Sequence, residues 1–465
     1  MRRLVVGSIA ALAALASPAV AAAHQLVGRV ESPLPLAAYL AGAALAVALS
    51  FAFVILRDVR APGRPAATAI AAPRWLVLGL RAVGLAGWLW IVAQTIIGGE
   101  TDADVSVLFL WVYGWVGLAF LSALVGPIWS WLDPFATLFD LGAATFRRLG
   151  VRGWDPSPYP AGLGLWPAVG GLAFFVWLEL AYKGEGLGAV VIGYTVLTLL
   201  AMAAFGRDAW RANGETFSVW FGTLNRLAPF GRPTRGDSGP GGDRAIVRRR
   251  YAEGLLDGDW TTPRVALVAI GVASILYDGL SQTTTWFEVF GSPFLPAATL
   301  ELLAFLGLVV GLALVVSRLV GLAAVGGGLV PIAVGYLIAH YLTYILGDGQ
   351  RIVVALSDPF QQGWNLIGFA DYEPGIDWIP PVLAWAVMLT AVVGGHVVGA
   401  WSGHVLAVRD APAGRGIRLR QVPLAILMVA LTATTLWSLG QAIVREPAEE
   451  AGIPASPVAM TPTGT

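Results

Sequence analysis

Residues 297–320 read AATLELLAFLGLVVGLALVVSRLV, and only two charges, Glu301 and Arg318, fall among them. A helix rises 1.5 Å per residue, so ~20 apolar residues cross the hydrocarbon core of a bilayer. This run is long enough. Nine further stretches read the same way: 34–56, 75–98, 106–132, 163–182, 187–206, 263–282, 329–346, 379–403 and 421–443. The whole chain agrees, with 465 residues of which 57% are hydrophobic and 12% charged; soluble domains carry roughly 25% charged residues. The expected fold class is all-α, a polytopic transmembrane helix bundle of about ten spans whose first partner is the lipid bilayer.

The connections between spans alternate in charge. Segments 57–74, 133–162, 207–262, 321–328 and 404–420 together hold twenty arginines, against Arg29, Lys183, Arg351 and Arg445 in the opposite set. The positive-inside rule places the arginine-bearing set in the cytoplasm. At the N-terminus, Arg2-Arg3, the apolar run 4–16 and Ala21-Ala22-Ala23 have the three parts of a signal peptide. Cleavage after Ala23 (signal peptide 1–23) would leave a membrane domain over 24–443 and an external tail over 444–465. Both mature termini are then external, in a bacterial plasma membrane. His24 would begin the mature chain, where amine and imidazole can chelate copper together; a solvated histidine is the plainer alternative.

Net charge is zero and cysteine is absent. That removes a basic face for nucleic acid, disulfides and thiolate metal sites. The connection 207–262 is the one sizeable polar piece. Its first part, Arg207 to Phe230, suggests an amphipathic helix on the inner leaflet; its second, Arg232 to Asp243, is rich in Gly, Pro and Asp and suggests a flexible segment. Gly307/Gly311 and Gly395/Gly399/Gly403 have the spacing of close helix contacts.

Asp133-Pro134-Phe135 and Asp358-Pro359-Phe360 recur at an offset of 225 residues, after the third and eighth spans. With ten spans, two halves of five would have opposite topology, a 5+5 inverted repeat of the kind found in transporters.

Charges inside the membrane cost ~2.5–3.5 kcal/mol each on insertion scales, so each needs a reason. Arg81 lies near the arginine-rich end, where its long stem can snorkel. Glu179, Asp278, Glu301 and His340 all fall in the opposite half of the membrane. Ser281 follows Asp278 by three residues; Tyr336 and Tyr344 flank His340 at i−4 and i+4. Together these residues could line an outward-facing polar cavity for a cation or proton. His340, Asp278 and Glu301 are also hard oxygen and imidazole ligands suited to a divalent metal. The alternative is that each pairs locally near an interface. His396 and His404 lie deeper, toward the arginine-rich end.

Several segments resemble a family of bacterial multi-pass membrane proteins, some of whose members carry the label fenitrothion hydrolase. They are Ala23-His24-Gln25-Leu26-Val27-Gly28-Arg29 with Pro33-Leu34-Pro35; Arg211 through Gly214-Glu215-Thr216-Phe217 to Pro229; Asp278-Gly279-Leu280-Ser281; and Ala339-His340-Tyr341 through Gly349-Gln350 to Ser357-Asp358-Pro359. The resemblance implies attack of an activated water on a phosphotriester, with Asp278, Glu301 and His340, and a metal ion, able to activate that water. Three functions stand from the sequence. The leading one is a permease for a small solute or ion. The second is a membrane-embedded, metal-dependent hydrolase with catalytic Asp278 and His340. The third is a non-catalytic membrane partner of another complex.

Overall fold

The computed structural model describes residues 67–98, 104–151, 155–182, 186–234, 237, 242–291, 295–410 and 421–439, with four isolated positions at 42, 45, 49 and 50. The expected signal peptide, His24, nearly all of span 34–56 and the tail 444–465 lie outside the described residues. Among the described residues, seven helices are long and apolar enough to cross a membrane. They are α1 (Arg74–Ile97), α2 (Val105–Leu124), α5 (Leu187–Phe205), α8 (Thr262–Ser281), α9 (Leu295–Val320), α10 (Leu322–Ser357, its first 26 residues one α-helix) and α11 (Pro381–Asp410). Two shorter apolar helices, α4 (Trp166–Tyr182) and α12 (from Val422), fall on two of the three remaining expected spans, 163–182 and 421–443. Between them lie α3 (Pro134–Arg148), α6 (Arg207–Asn213) and α7 (Thr216–Leu224).

Helices α8 and α10 are enclosed on nearly all sides, whereas α1 and α9 are peripheral. Glycine sets the closest packing. A Cβ at Gly399 of α11 would come within 2.6 Å of the Gly328 carbonyl of α10, and one at Gly395 within 2.5 Å of the Pro331 carbonyl. The two backbones therefore touch along a seam that includes Gly335 and Gly403, as small residues allow between membrane helices. Gly307 and Gly311 behave differently: among the described residues nothing approaches within 4 Å of a Cβ built there. Pro331 sits inside α10 and has no N–H to give the Gly327 carbonyl. The Ser402 hydroxyl of α11 lies 2.9 Å from that carbonyl and 2.8 Å from the Val398 carbonyl of its own helix, so its hydrogen can be given to the acceptor that Pro331 leaves open.

The arginine-bearing connections meet at one end of the bundle. Three short strands, β1 (Ala69–Ala71), β2 (Phe230–Gly231) and β3 (Ala245–Arg248), form an antiparallel sheet in the order β1-β3-β2, with Ala69 opposite Val247 and Phe230 opposite Arg248. Arg81 and Arg207 share the carboxylates of Asp140 and Asp243 at 2.7–3.3 Å. Arg81 thus pairs within the protein rather than only reaching for the interface. Arg409 donates to the Leu256 carbonyl, joining the last connection to the rest.

The segment 207–230 departs from the expected surface helix. It forms two short helices, and α7 is buried among α2, α4 and α8. Trp220 is fully enclosed, stacked on Trp115 with ring centroids 5.6 Å apart, and lies against Gly271, where a side chain would collide with it. Polar caps hold this entry. Glu215 accepts from the Phe217 and Ser218 amides at the start of α7, and Tyr194 donates to it at 2.6 Å. Asp133 likewise caps α3 through the Phe135 and Ala136 amides and takes Arg211 at 2.8 Å. Asp358, the other copy of the repeated tripeptide, instead binds the Gln362 and Gly363 amides of a loop.

Candidate functional site

The two most enclosed helices carry the ionisable pair. Asp278 lies in the last turn of α8 and His340 in the half of α10 nearest the same end. The structure brings them together: His340 Nε2 is 2.9 Å from Asp278 Oδ2. Tyr341 donates its hydroxyl to the same oxygen at 2.9 Å, and Gln282 Nε2 donates to Oδ1 at 2.6 Å. The side chains are 14% exposed for Asp278 and 4% for His340. Hydrogen bonds to a charged acceptor contribute ~1.5–3 kcal/mol each. Three of them are enough to offset the insertion cost of one carboxylate.

The other expected residues divide. Glu179 is buried, in the π-helical last turn of α4 (Leu178–Tyr182), and is near enough to Tyr341 and Tyr344 to act on both electrostatically. Such wide turns often mark functional positions. Tyr344 packs its ring 6.1 Å from that of Tyr341. Ser281 turns its hydroxyl to the Asp278 backbone carbonyl, at 3.4 Å, and not to the carboxylate.

Glu301 does not join the pair. It lies near Tyr277, and its Oε2 is buried with no hydrogen-bond partner among the described residues. Among the described residues no group of three or more His, Asp or Glu side chains is placed to hold a metal ion. The expected ligand set of His340, Asp278 and Glu301 is therefore not assembled, because Glu301 sits on α9 against the Tyr277 side of α8.

Tyr336 faces a second, deeper polar group. Its hydroxyl is 3.4 Å from His396 Nε2 and within reach of Thr432 and Thr435 of α12. His396 Nδ1 is 2.7 Å from the Val392 carbonyl. One face of α12 thus presents Thr432, Thr435 and Ser438, all buried. Ser438 and the His340 ring both approach Gly279 of α8, which links the deeper group to Asp278. Toward the arginine-rich end, His404 Nδ1 is 2.7 Å from Gln421 Oε1, and both side chains are buried.

Sequence reasoning missed Tyr341 and Gln282. Gln282 follows Asp278 by four residues, a spacing that could have found it. Comparison with protein-family models, curated proteins and solved structures gives no match.

Proposed function

We propose that this chain is a permease-like membrane protein whose cargo is a proton or small cation, taken up at Asp278 from the end opposite the arginines. The observation that carries this reading is the Asp278 carboxylate, held by His340 and Tyr341 on the two most enclosed helices. A carboxylate in that place binds a cation or exchanges a proton, and its neighbour His340 can take the proton on. The polar face of α12 continues inward to Tyr336 and His396. Between His396 and His404 the path spans eight residues of α11, about 12 Å. Met428 and Leu424, both fully buried, occupy α12 beside that stretch. Transfer across this apolar gap requires α12 to move or water to enter. A 5+5 inverted repeat would supply such rocking, and we include it in the proposal. The positive-inside rule then puts the arginine-rich end in the cytoplasm.

The test is flux. Protein reconstituted into liposomes with a trapped pH dye should admit protons under a potassium diffusion potential, above the rate of protein-free vesicles. Asp278→Asn and His340→Ala should lower that rate at least tenfold while eluting as folded, monodisperse protein. Wild-type vesicles that match protein-free ones under proton, sodium and potassium gradients would overturn the reading. So would Asp278→Asn at the wild-type rate. The hydrolase reading rests on the same Asp–His pair, which can orient an imidazole as a general base. Release of the phenol from a phosphotriester, with flux absent, would favour it.

A further inference from the structure

At the arginine-rich end, far from Asp278, a cavity of about 250 Å³ is walled by Trp129, Phe221, Ser218 and four arginines, Arg211, Arg226, Arg232 and Arg249. The arginines come from separate pieces of chain: α6, the turn after α7, and the two segments that follow β2 and β3. We propose that this cavity binds a phosphate group carried on a small molecule or a lipid headgroup.

Charge is the first argument. One carboxylate, Asp257, lines the cavity, and it stands 3.8 Å from Arg249. Asp133 takes Arg211 and Asp259 takes Arg226 from outside the lining. Arg232 makes no ion pair among the described residues; its Nη1 donates to the Asp243 and Ala245 carbonyls. Carbonyls satisfy N–H groups without neutralising charge. Burial pulls the Arg232 guanidinium below its ordinary range; the Asp243 carboxylate raises it in part, and the positive charge of Arg211 pushes it down again. An anion bound here would relieve that repulsion.

Rigidity is the second. The Arg249 guanidinium is packed between Gly231 and Gly254; a Cβ at Gly231 would lie 2.5 Å from its central carbon, and one at Gly254 would also collide with it. Arg249 also donates to the Ala228 and Asn225 carbonyls. Fixed donors lose little freedom on binding. The Trp129 indole donates to the Ser218 oxygen at 3.1 Å, which leaves the Ser218 hydroxyl hydrogen to be given to a ligand.

Size and donor type are the third. Several guanidinium forks and a hydroxyl suit the acceptor oxygens of a phosphate better than the two of a carboxylate. The volume is just under the ~300–1,000 Å³ of sites for drug-sized ligands, so a small attached group would fit against Trp129 and Phe221.

Binding to the purified full chain in neutral detergent at fixed salt tests this, with inorganic phosphate in one arm and dioctanoyl phosphatidic acid in the other. Saturable one-to-one binding in either arm is expected, weakened at least tenfold in Arg232→Gln. Phosphate binding would identify a soluble ligand; phosphatidic acid alone would identify the headgroup. If Arg232→Gln is not monodisperse, Ser218→Ala is read instead, with a severalfold loss expected. No saturable binding in either arm, or unchanged binding by the folded variant, overturns the site. The readout is independent of ion flux.

Discussion

Tyr341 is the residue that turns an Asp–His contact into a closed group. Neighbours on a helix point about 100° apart, so His340 and Tyr341 straddle the groove in which Asp278 lies. Tyr341→Phe removes one of three hydrogen bonds to the carboxylate and leaves the His340 bond in place. Proton flux should fall severalfold, less than for Asp278→Asn; a rate equal to wild type would show that the hydroxyl is idle. A second residue-scale consequence concerns Asp133. Burial pushes its carboxyl up to about 6; the Arg211 guanidinium pulls it down and Glu215 pushes it up. A carboxyl whose folded pKa lies above its unfolded one favours the fold most when protonated. Its contribution is therefore full below about 4 and lost as pH rises through about 6. Asp133→Asn keeps a capping side chain but cannot ionise. The change in melting temperature between pH 4.5 and 7 should be more downward in wild type than in this variant. Equal changes would contradict the assignment. The Asp278–His340 pair was legible in the sequence because ionisable residues stand out inside apolar runs. Tyr341 was not, because it lies off the helix face that His340 shares with Tyr336 and Tyr344, and its partner oxygen sits on another helix.

At the scale of elements, the seam between α10 and α11 has a sharp internal control. Gly399→Ala places a methyl 2.6 Å from a backbone oxygen that cannot yield. Overpacking of this kind destabilises by about 1–3 kcal/mol. Gly307→Ala meets nothing among the described residues and removes a flexible glycine from a helix, which favours folding by roughly 0.5–1 kcal/mol. Thermal unfolding in detergent should move in opposite directions for the two. A fall for both would mean that Gly307 packs against a partner. The apolar runs made the long helices plain, since a bilayer leaves a ~20-residue apolar segment few alternatives. The run Arg207–Phe230 was misread because tryptophans mixed with arginines look alike on a membrane surface and at a buried entry. Only the contact of Trp220 with Trp115 and Gly271, from distant helices, separates the two. The three-residue β1 carries no periodic signal of its own.

For the whole molecule, the gathering of the arginine-bearing connections at one end makes orientation a single question. The chain lacks cysteine, so one introduced thiol reports without background. Asp208→Cys and Asp371→Cys are exposed positions at opposite ends. In intact cells a membrane-impermeant maleimide should label Asp371→Cys and spare Asp208→Cys. Labelling of Asp208→Cys alone would invert the orientation and place Asp278 toward the cytoplasm.

The β1–β3 pairing has one more consequence, and it concerns time. The Ala72 amide waits for the Arg244 carbonyl, 172 residues further along the chain. At roughly 5–20 residues per second, synthesis of that interval takes about 9–34 s. Over that interval α1, α2, α4 and α5 are made, and until it ends Arg81 lacks Asp243 and the Trp131 indole lacks its acceptor, the Asp243 carbonyl. The cap therefore closes late: until residues 242–248 have left the ribosome, this end of the bundle lacks its central strand.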